Sequence, residues 1–182
     1  SIRRPEARVT PPGSMVARIR GDLTEARACY EAALAGCDLE GHLAEEVRGR
    51  LLIALGRLAE MEGDAREALD RHLSVLSGTA WRRNPPLAAL AAEGLAGVAL
   101  LEGDGERAAF LLGLGVALCG AFAPDGPNDP DIARVGAGAR SLVGDARFEA
   151  AHRRGGGLTV GRALAALDRI RAGAGRPSTS GR

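Results

Sequence analysis

The sequence predicts an all-α protein made of stacked antiparallel helix pairs, and three observations support this fold class. Alanine, leucine and valine supply most of the apolar residues, whereas aromatic residues make up only 3% of the chain. Alanine and leucine favour helices because they lose little side-chain freedom there, and few β-branched or aromatic residues remain to form a sheet. A Gly-Asp dipeptide also recurs at intervals of 42, 40 and 41 residues. The four pairs are Gly21-Asp22, Gly63-Asp64, Gly103-Asp104 and Gly144-Asp145.

Each Gly-Asp pair is predicted to form the turn of a helical hairpin. The glycine tolerates the left-handed backbone at the C-terminus of one helix. The aspartate can accept a hydrogen bond from an unpaired backbone N–H in the first turn of the following helix. Glutamates that follow within a few residues suit the positive end of the helix dipole. An alanine five residues after the glycine lets the second helix approach the first. These alanines are Ala26, Ala68 and Ala108.

Apolar residues at helical spacing predict the remaining helices of this part. Between Leu43 and Ala59, the apolar residues at helical spacing lie on one broad face of the predicted helix. Asn84 can cap the next long helix, with Pro85 as its first residue. We expect helices near 15–20, 23–36, 41–61, 64–77, 85–101 and 104–121.

The pattern changes after residue 121. Turn-forming residues from Pro124 to Pro130 predict a loop, and a helix follows from 129 or 130 to about 143. A short helix over 146–153 is expected to break at the three glycines 155–157, and Thr159 can cap a last helix that ends near 171. The predicted domains are a flexible segment 1–13, a helical domain 14–172 and a disordered tail 173–182. Within the helical domain we expect three repeats and a C-terminal cap. The repeats cover 14–38, 41–78 and 85–121, and the cap covers 129–172.

Composition argues against several classes of function. All 24 basic residues are arginine, they are interspersed with 23 acidic ones, and the net charge is +1, so we expect no direct nucleic-acid binding. A chain without lysine cannot form a phosphate-binding loop of the Gly-Lys-Ser/Thr type. No apolar run has the roughly 18 residues of a membrane span, and the N-terminal segment lacks a signal-type apolar core. Three cysteines at unrelated spacings suit a reducing cytoplasm, and we expect no metal and no cofactor.

The Gly-Asp units resemble tetratricopeptide repeats. The second unit matches best, with Gly56 in its first helix, Gly63 at the turn and Ala68 in its second helix. The third unit departs at Gly115, where alanine is usual, and the interval of about 41 residues exceeds the standard 34. The resemblance implies a right-handed superhelix of antiparallel helix pairs with a concave binding groove. Its structural positions here are Gly21, Ala26, Tyr30, Gly56, Gly63, Ala68, Gly103 and Ala108.

The region 41–172 is also similar to the C-terminal repeats of bacterial transcriptional regulators that carry a STAND-type ATPase module, of LuxR-like or AfsR-like type. Phe148, Gly155, Thr159 and Ala163 occupy positions that match the C-terminal sequence pattern of these regulators. This resemblance implies a cytoplasmic sensor or interaction arm that binds a protein, a peptide or a small ligand and is not an enzyme. The alternatives are a free-standing repeat scaffold for protein–protein interaction and, more weakly, a small all-α enzyme. We also expect a short stack with apolar ends to be able to form a homodimer.

The same resemblance suggests which residues line the groove. Arg50, Arg57 and Glu60 lie near one face of the first helix of the second unit, and Glu93 lies on the next such helix. The alternative is that these residues form a solvated polar face. Trp81, which precedes two arginines, is either a binding hot spot or a residue that packs on the preceding hairpin. We predict no catalytic residue.

Overall fold

The structure, a computed structural model, describes residues 22–37, 41–120 and 129–174, and this part of the chain forms eight α-helices and no strand. The all-α class is therefore confirmed. A 3-10 turn, Ala80–Arg82, separates the third and fourth helices. The helices are α1 (Leu23–Ala35), α2 (His42–Glu62), α3 (Ala65–Ser77), α4 (Pro85–Leu101), α5 (Gly105–Cys119), α6 (Pro130–Val143), α7 (Asp145–Gly156) and α8 (Val160–Ala174).

Three Gly-Asp pairs supply the helix caps that their sequence predicts. Asp22, Asp64 and Asp104 each accept a hydrogen bond from a first-turn backbone N–H, at 3.0, 2.9 and 2.9 Å. Gly63 and Gly103 have φ of 79° and 80°, the left-handed region in which glycine avoids a steric penalty. These turns join α2 to α3 and α4 to α5 as hairpins. Gly21 and the helix expected at 15–20 lie outside the described residues.

The predicted caps Asn84 and Thr159 are present, and Asp129 also caps its helix. Asn84 accepts a backbone hydrogen bond at 3.1 Å, and Asp129 accepts one at 2.8 Å. Each of these residues precedes a proline that is the first residue of its helix, as the sequence predicts. Thr159 caps α8 with a longer bond of 3.4 Å.

The fourth Gly-Asp pair and the glycine run behave differently from the prediction. Gly144 is itself the residue before α7, and Asp145 is the first helical residue, bound to Arg140 at 3.2 Å. The helix expected to break at 155 continues through Gly155 and Gly156. Tertiary packing of α7 on α5 outweighs the low helix propensity of glycine here. The last helix continues to Ala174 instead of ending near 171.

The helices pack around one main core and a smaller cluster between α1 and α2. Helix α2 contacts α3 and α4, and α4 in turn packs on α5. The alanines after the three regular turns are fully buried, so the hairpin helices approach closely. Large buried side chains of the main core are Trp81, Leu95, Leu111, Leu114, Phe148 and Leu167.

The last three helices depart from simple pairing. Helix α7 packs mainly on α5 and only lightly on α6, its neighbour in the chain. Helix α8 returns over α3, α4 and α5, and its Asp168 binds Arg82 at 2.7 Å. The α6–α7 hairpin is therefore splayed. Within the described ranges, no helix is both long and apolar enough to cross a membrane.

Candidate ligand cleft and its charged residues

Two glycines make room for a buried histidine at the junction of α2, α3 and α4. The ring of His72 is fully buried between Gly56 and Gly94, and a methyl group on either glycine would overlap it. Nε2 lies 2.8 Å from Oε1 of Glu60, and the carboxylate accepts a hydrogen bond from Nε2–H. Nδ1 has no hydrogen-bond partner in the described part of the chain. His72 therefore packs in the core and has a specific polar partner there.

Glu60 connects this histidine to α6. Its side chain is buried and lies directly over Gly97, where a methyl group would collide with the carboxylate. Oε2 accepts a hydrogen bond from Nη2 of Arg134 at 2.9 Å. The chain His72–Glu60–Arg134 thus joins α3, α2 and α6 through paired polar groups, as burial requires.

A second cluster of charged residues surrounds Arg57, whose side chain is only 12% exposed. Nη1 lies 3.1 Å from Asp129 and 3.4 Å from Asp131, and Nη2 lies 3.5 Å from Oε2 of Glu93. We call these four residues the Arg57 cluster. It connects α2, α4 and the N-terminus of α6.

The electrostatics of the Arg57 cluster follow from burial and charge. Burial opposes the charged form of Arg57, but Asp129, Asp131 and Glu93 outweigh burial and raise its pKa. Burial likewise opposes the charged form of Asp129, yet the guanidinium and two backbone N–H groups hold its pKa below the usual range. Arg57 and Asp129 are therefore both charged at neutral pH.

Helix α7 is held against α5 by two glycines. A Cβ on Gly113 would lie 2.8 Å from the backbone nitrogen of Gly156, and a Cβ on Gly155 would lie 2.9 Å from that of Leu114. Each would also overlap a backbone carbonyl oxygen of the facing helix. This close crossing carries α7 away from α6.

The space left between α5, α6 and α7 is an open cleft of about 620 Å³, which we call the cleft. Glu93 of α4 lies at one end, where its carboxylate packs on Gly115. A Cβ on Gly115 would lie only 3.0 Å from Oε1, so the glycine gives this carboxylate room. Apolar and small residues that line the cleft are Leu112, Val116, Ile132, Ala133, Gly136 and Ala137.

The opposite end of the cleft carries a stacked group of side chains. The guanidinium of Arg140 lies 3.9 Å from the centre of the Phe148 ring, which in turn stacks on His152 with centroids 5.7 Å apart. Arg140 also donates to Glu149 at 2.6 Å and to Asp145 at 3.2 Å. Hydrogen bonding to these carboxylates raises the Arg140 pKa.

The structure brings together three of the five predicted groove residues. Arg57, Glu60 and Glu93 belong to the two neighbouring charged groups: Glu60 is buried, the side chains of Arg57 and Glu93 are 12% and 13% exposed, and Glu93 also lines the cleft. Arg50 pairs with Glu46 one turn earlier, at 3.1 Å, and lies outside both groups.

Trp81 packs inside the molecule, which agrees with the second of the two interpretations, packing on the preceding hairpin. It is 1% exposed, and its Nε1 donates to the backbone oxygens of Leu76 and Gly78, both at 3.0 Å. Arg82 stacks over the ring at 4.9 Å. A binding hot spot needs a surface that a partner can reach, and Trp81 as placed offers almost none.

Sequence reasoning missed the cleft itself. The residues that line it come from α5, α6 and α7, and the glycines among them were the available indication. Gly113 and Gly115 interrupt an apolar helix, and such glycines often mark a close approach by another chain segment. The presence of these glycines in the sequence does not reveal which segment of the chain approaches them.

Thiols and smaller cavities offer less to a ligand. Cys29 and Cys37 are partly exposed and Cys119 is buried, and burial raises the Cys119 pKa. Across residues 22–37, 41–120 and 129–174, no group of three side chains could hold a metal ion. A second cavity, of about 250 Å³, lies between α2 and α3 near Glu45.

No protein family, curated protein or solved structure matches this chain.

Proposed function

We propose that this chain is a ligand-binding domain of tetratricopeptide type, and that the ligand occupies the cleft. The observation that carries the proposal is the cleft's size and lining. Its volume of about 620 Å³ falls within the range of roughly 300–1,000 Å³ that small-molecule sites have. Its walls are mainly apolar and its charged groups lie at the two ends. Val116, a large apolar residue that is 51% exposed, would be covered by a ligand there.

The contacts among the helices support the repeat interpretation. In a tetratricopeptide superhelix the first helices of successive units lie side by side. Here α2 contacts α4, α4 contacts α6, and the Arg57 cluster joins all three. The cleft then lies in the last, splayed unit of a right-handed stack.

The biological role proposed is that of a sensor arm in a cytoplasmic bacterial transcriptional regulator. The resemblance of region 41–172 to such regulators supports this role. A ligand shifts a conformational equilibrium only by binding one state better than another. The splayed α6–α7 hairpin is suited to that task, because a ligand in the cleft would contact both of its helices and α5. A ligand-dependent change in the arrangement of the hairpin would then act on the ATPase switch of the regulator.

A substitution that fills the cleft tests the proposal. Gly136 lines the cleft, and a Cβ there would make ordinary contact with Leu112 at 3.9 Å, so Gly136→Leu should fold. Replacing glycine within a helix should add up to about 1 kcal/mol of stability. We expect the wild-type chain to enhance the fluorescence of the neutral apolar dye Nile red and Gly136→Leu to lose most of that enhancement while its melting temperature stays equal or rises.

Gly161→Leu is the matched control, since open space surrounds Gly161 on α8. It should bind Nile red as the wild type does. If Gly136→Leu and the wild type bind the dye equally, binding takes place outside the cleft and the proposal fails. A surface scaffold for a protein partner would then explain the fold better.

A further inference from the structure

Building on the proposed function of the cleft, we infer that its ligand is a neutral molecule with an apolar body and a hydroxyl group, and that the hydroxyl group binds His152. This histidine lies on α7, at the end of the cleft opposite Glu93. The inference follows from the polar side chains that line the cleft, because these groups decide which polar atoms a ligand can bring there.

Four polar side chains line the cleft within the described residues, and three of them already have charged partners. Glu93 lies 3.5 Å from the guanidinium of Arg57. Arg140 and Glu149 form an ion pair with each other at 2.6 Å, and Arg140 also binds Asp145 at 3.2 Å. A charged group on a ligand would have to compete with these existing partners.

His152 is the fourth of these side chains, and its ring nitrogens have no such partner. The ring stacks on Phe148, but it makes no hydrogen bond or ion pair with residues 22–37, 41–120 and 129–174. The side chain is half-buried, and its nitrogens are accessible to solvent. A purely apolar ligand that covered these nitrogens would exclude water from them and leave them unpaired, which costs free energy.

A hydroxyl group matches an imidazole ring better than a charged group does in this cleft. A neutral imidazole has one N–H donor and one acceptor nitrogen, and a hydroxyl group can both donate and accept, so it can pair with either nitrogen. A carboxylate or an ammonium group would instead carry its charge into an apolar cleft, where the loss of its hydration opposes binding. The neutral class is therefore favoured.

The wall between the two ends suits the apolar body of such a ligand. Leu112, Val116 and Ile132 supply branched side chains, and Gly136 leaves space beside Leu112. Burial of apolar surface there would supply most of the affinity. The hydroxyl group at His152 would fix the orientation of the ligand and select against molecules that cannot pair with the ring.

Four probes that share a phenylbutyl body test the inference: 4-phenyl-1-butanol, butylbenzene, 4-phenylbutylamine and 4-phenylbutyrate. Each is titrated against the Nile red complex of the wild-type chain at pH 7, and the displacement constant is measured. We expect the alcohol to bind at least about tenfold more tightly than the amine and the acid, because the charged probes lose more hydration on entering the cleft. A charged probe that binds as tightly as the alcohol would overturn the neutral class.

Substitutions at His152 place the hydroxyl group. His152→Phe keeps an aromatic ring beside Phe148 but removes both nitrogens, so the alcohol should bind about fivefold more weakly, as expected for the loss of one neutral hydrogen bond. Butylbenzene does not use the nitrogens and should bind this variant at least as tightly as it binds the wild type. His152→Gln supplies a donor and an acceptor again and should recover most of the affinity for the alcohol.

Arg153→Gln is the matched control, because Arg153 is exposed on the same helix and does not line the cleft. It should leave every displacement constant unchanged. Thermal melting shows whether each variant folds, and His152→Leu gives the same comparison if His152→Phe does not. Equal weakening of the alcohol and butylbenzene would show that His152 acts only through packing, and the placement would then be wrong.

The outcomes separate this inference from the proposed function. If 4-phenyl-1-butanol displaces Nile red equally well from His152→Phe and the wild type, the cleft binds ligands but the hydroxyl group does not bind His152. If the wild-type chain never binds Nile red and no probe shifts its melting temperature, the proposed function has failed and this inference fails with it.

Discussion

Individual residues of this chain show how polar groups are accommodated in a helical core. His72, Glu60 and Glu93 each lie against glycine in a facing helix, so the space of an absent side chain holds a polar one. Each of these side chains reaches an opposite charge or a hydrogen-bond partner, which offsets the cost of burial. The glycines are therefore part of the polar network and not merely weak points in their helices.

Arg57 is the residue whose loss should matter most. Arg57→Met leaves the carboxylates of Asp129, Asp131 and Glu93 without their shared cation, and removal of one partner from a buried ion pair costs about 3–5 kcal/mol. Urea denaturation at pH 7 should show a loss of this size. Arg107→Met, which breaks an exposed pair with Glu102, should cost less than about 1 kcal/mol.

The pH dependence of the same variant provides an internal check. The pKa of Asp129 is lowered in the fold, so its contribution to stability is present above its unfolded pKa of about 3.9 and is lost as the pH falls through the folded value. In Arg57→Met, only the two backbone N–H groups still oppose burial, so the Asp129 pKa should rise and acidification should cost the variant less stability than the wild type. The stability difference between wild type and variant should shrink between pH 7 and pH 3.5. A difference that stays constant with pH would contradict the charge assignment.

At the scale of elements, the crossing of α5 and α7 determines the shape of the cleft. Gly155→Ala should cost about 3 kcal/mol, because its Cβ would overlap a backbone oxygen of α5 that no rotamer change can move. Gly156→Ala should be neutral or stabilising, since its Cβ would lie 3.6 Å from the nearest oxygen. Urea denaturation of the two variants measures the contrast. Equal stabilities would show that α7 does not cross α5 at this point.

The hairpins could be predicted from sequence, whereas the crossing could not. Asp64 and Asn84 act within four residues of their own positions, so the local sequence contains the whole cap. Gly155 instead interacts with residues more than 40 positions away, and nothing local identifies that partner. For this reason the helix expected to end at 153 instead continues into the glycine run and ends at Gly156. For the same reason the sequence could assign Arg57 and Glu93 to neighbouring helices but could not show that Arg57 pairs with Asp129, 72 residues away.

For the molecule as a whole, the last helices turn a row of hairpins into a domain with a cleft. Helix α8 covers α3, α4 and α5 and buries Ala163 and Leu167, while α7 and α6 remain apart on the other side of α5. The Arg57 cluster links the first helices of three successive pairs. Among residues 22–37, 41–120 and 129–174, this arrangement leaves an open cleft with apolar walls between α5, α6 and α7.

The location of a bound ligand tests the central claim most directly. Methyl NMR spectra of the Leu-, Val- and Ile-labelled chain would be recorded during titration with 4-phenyl-1-butanol, a neutral probe with an apolar body. We predict that the methyl signals of Leu112, Val116 and Ile132 shift together, and that those of Leu43 and Leu142, which are exposed outside the cleft, do not. Shifts confined to Leu43 and Leu142, or no shift at the three cleft residues, would contradict a ligand site between α5, α6 and α7.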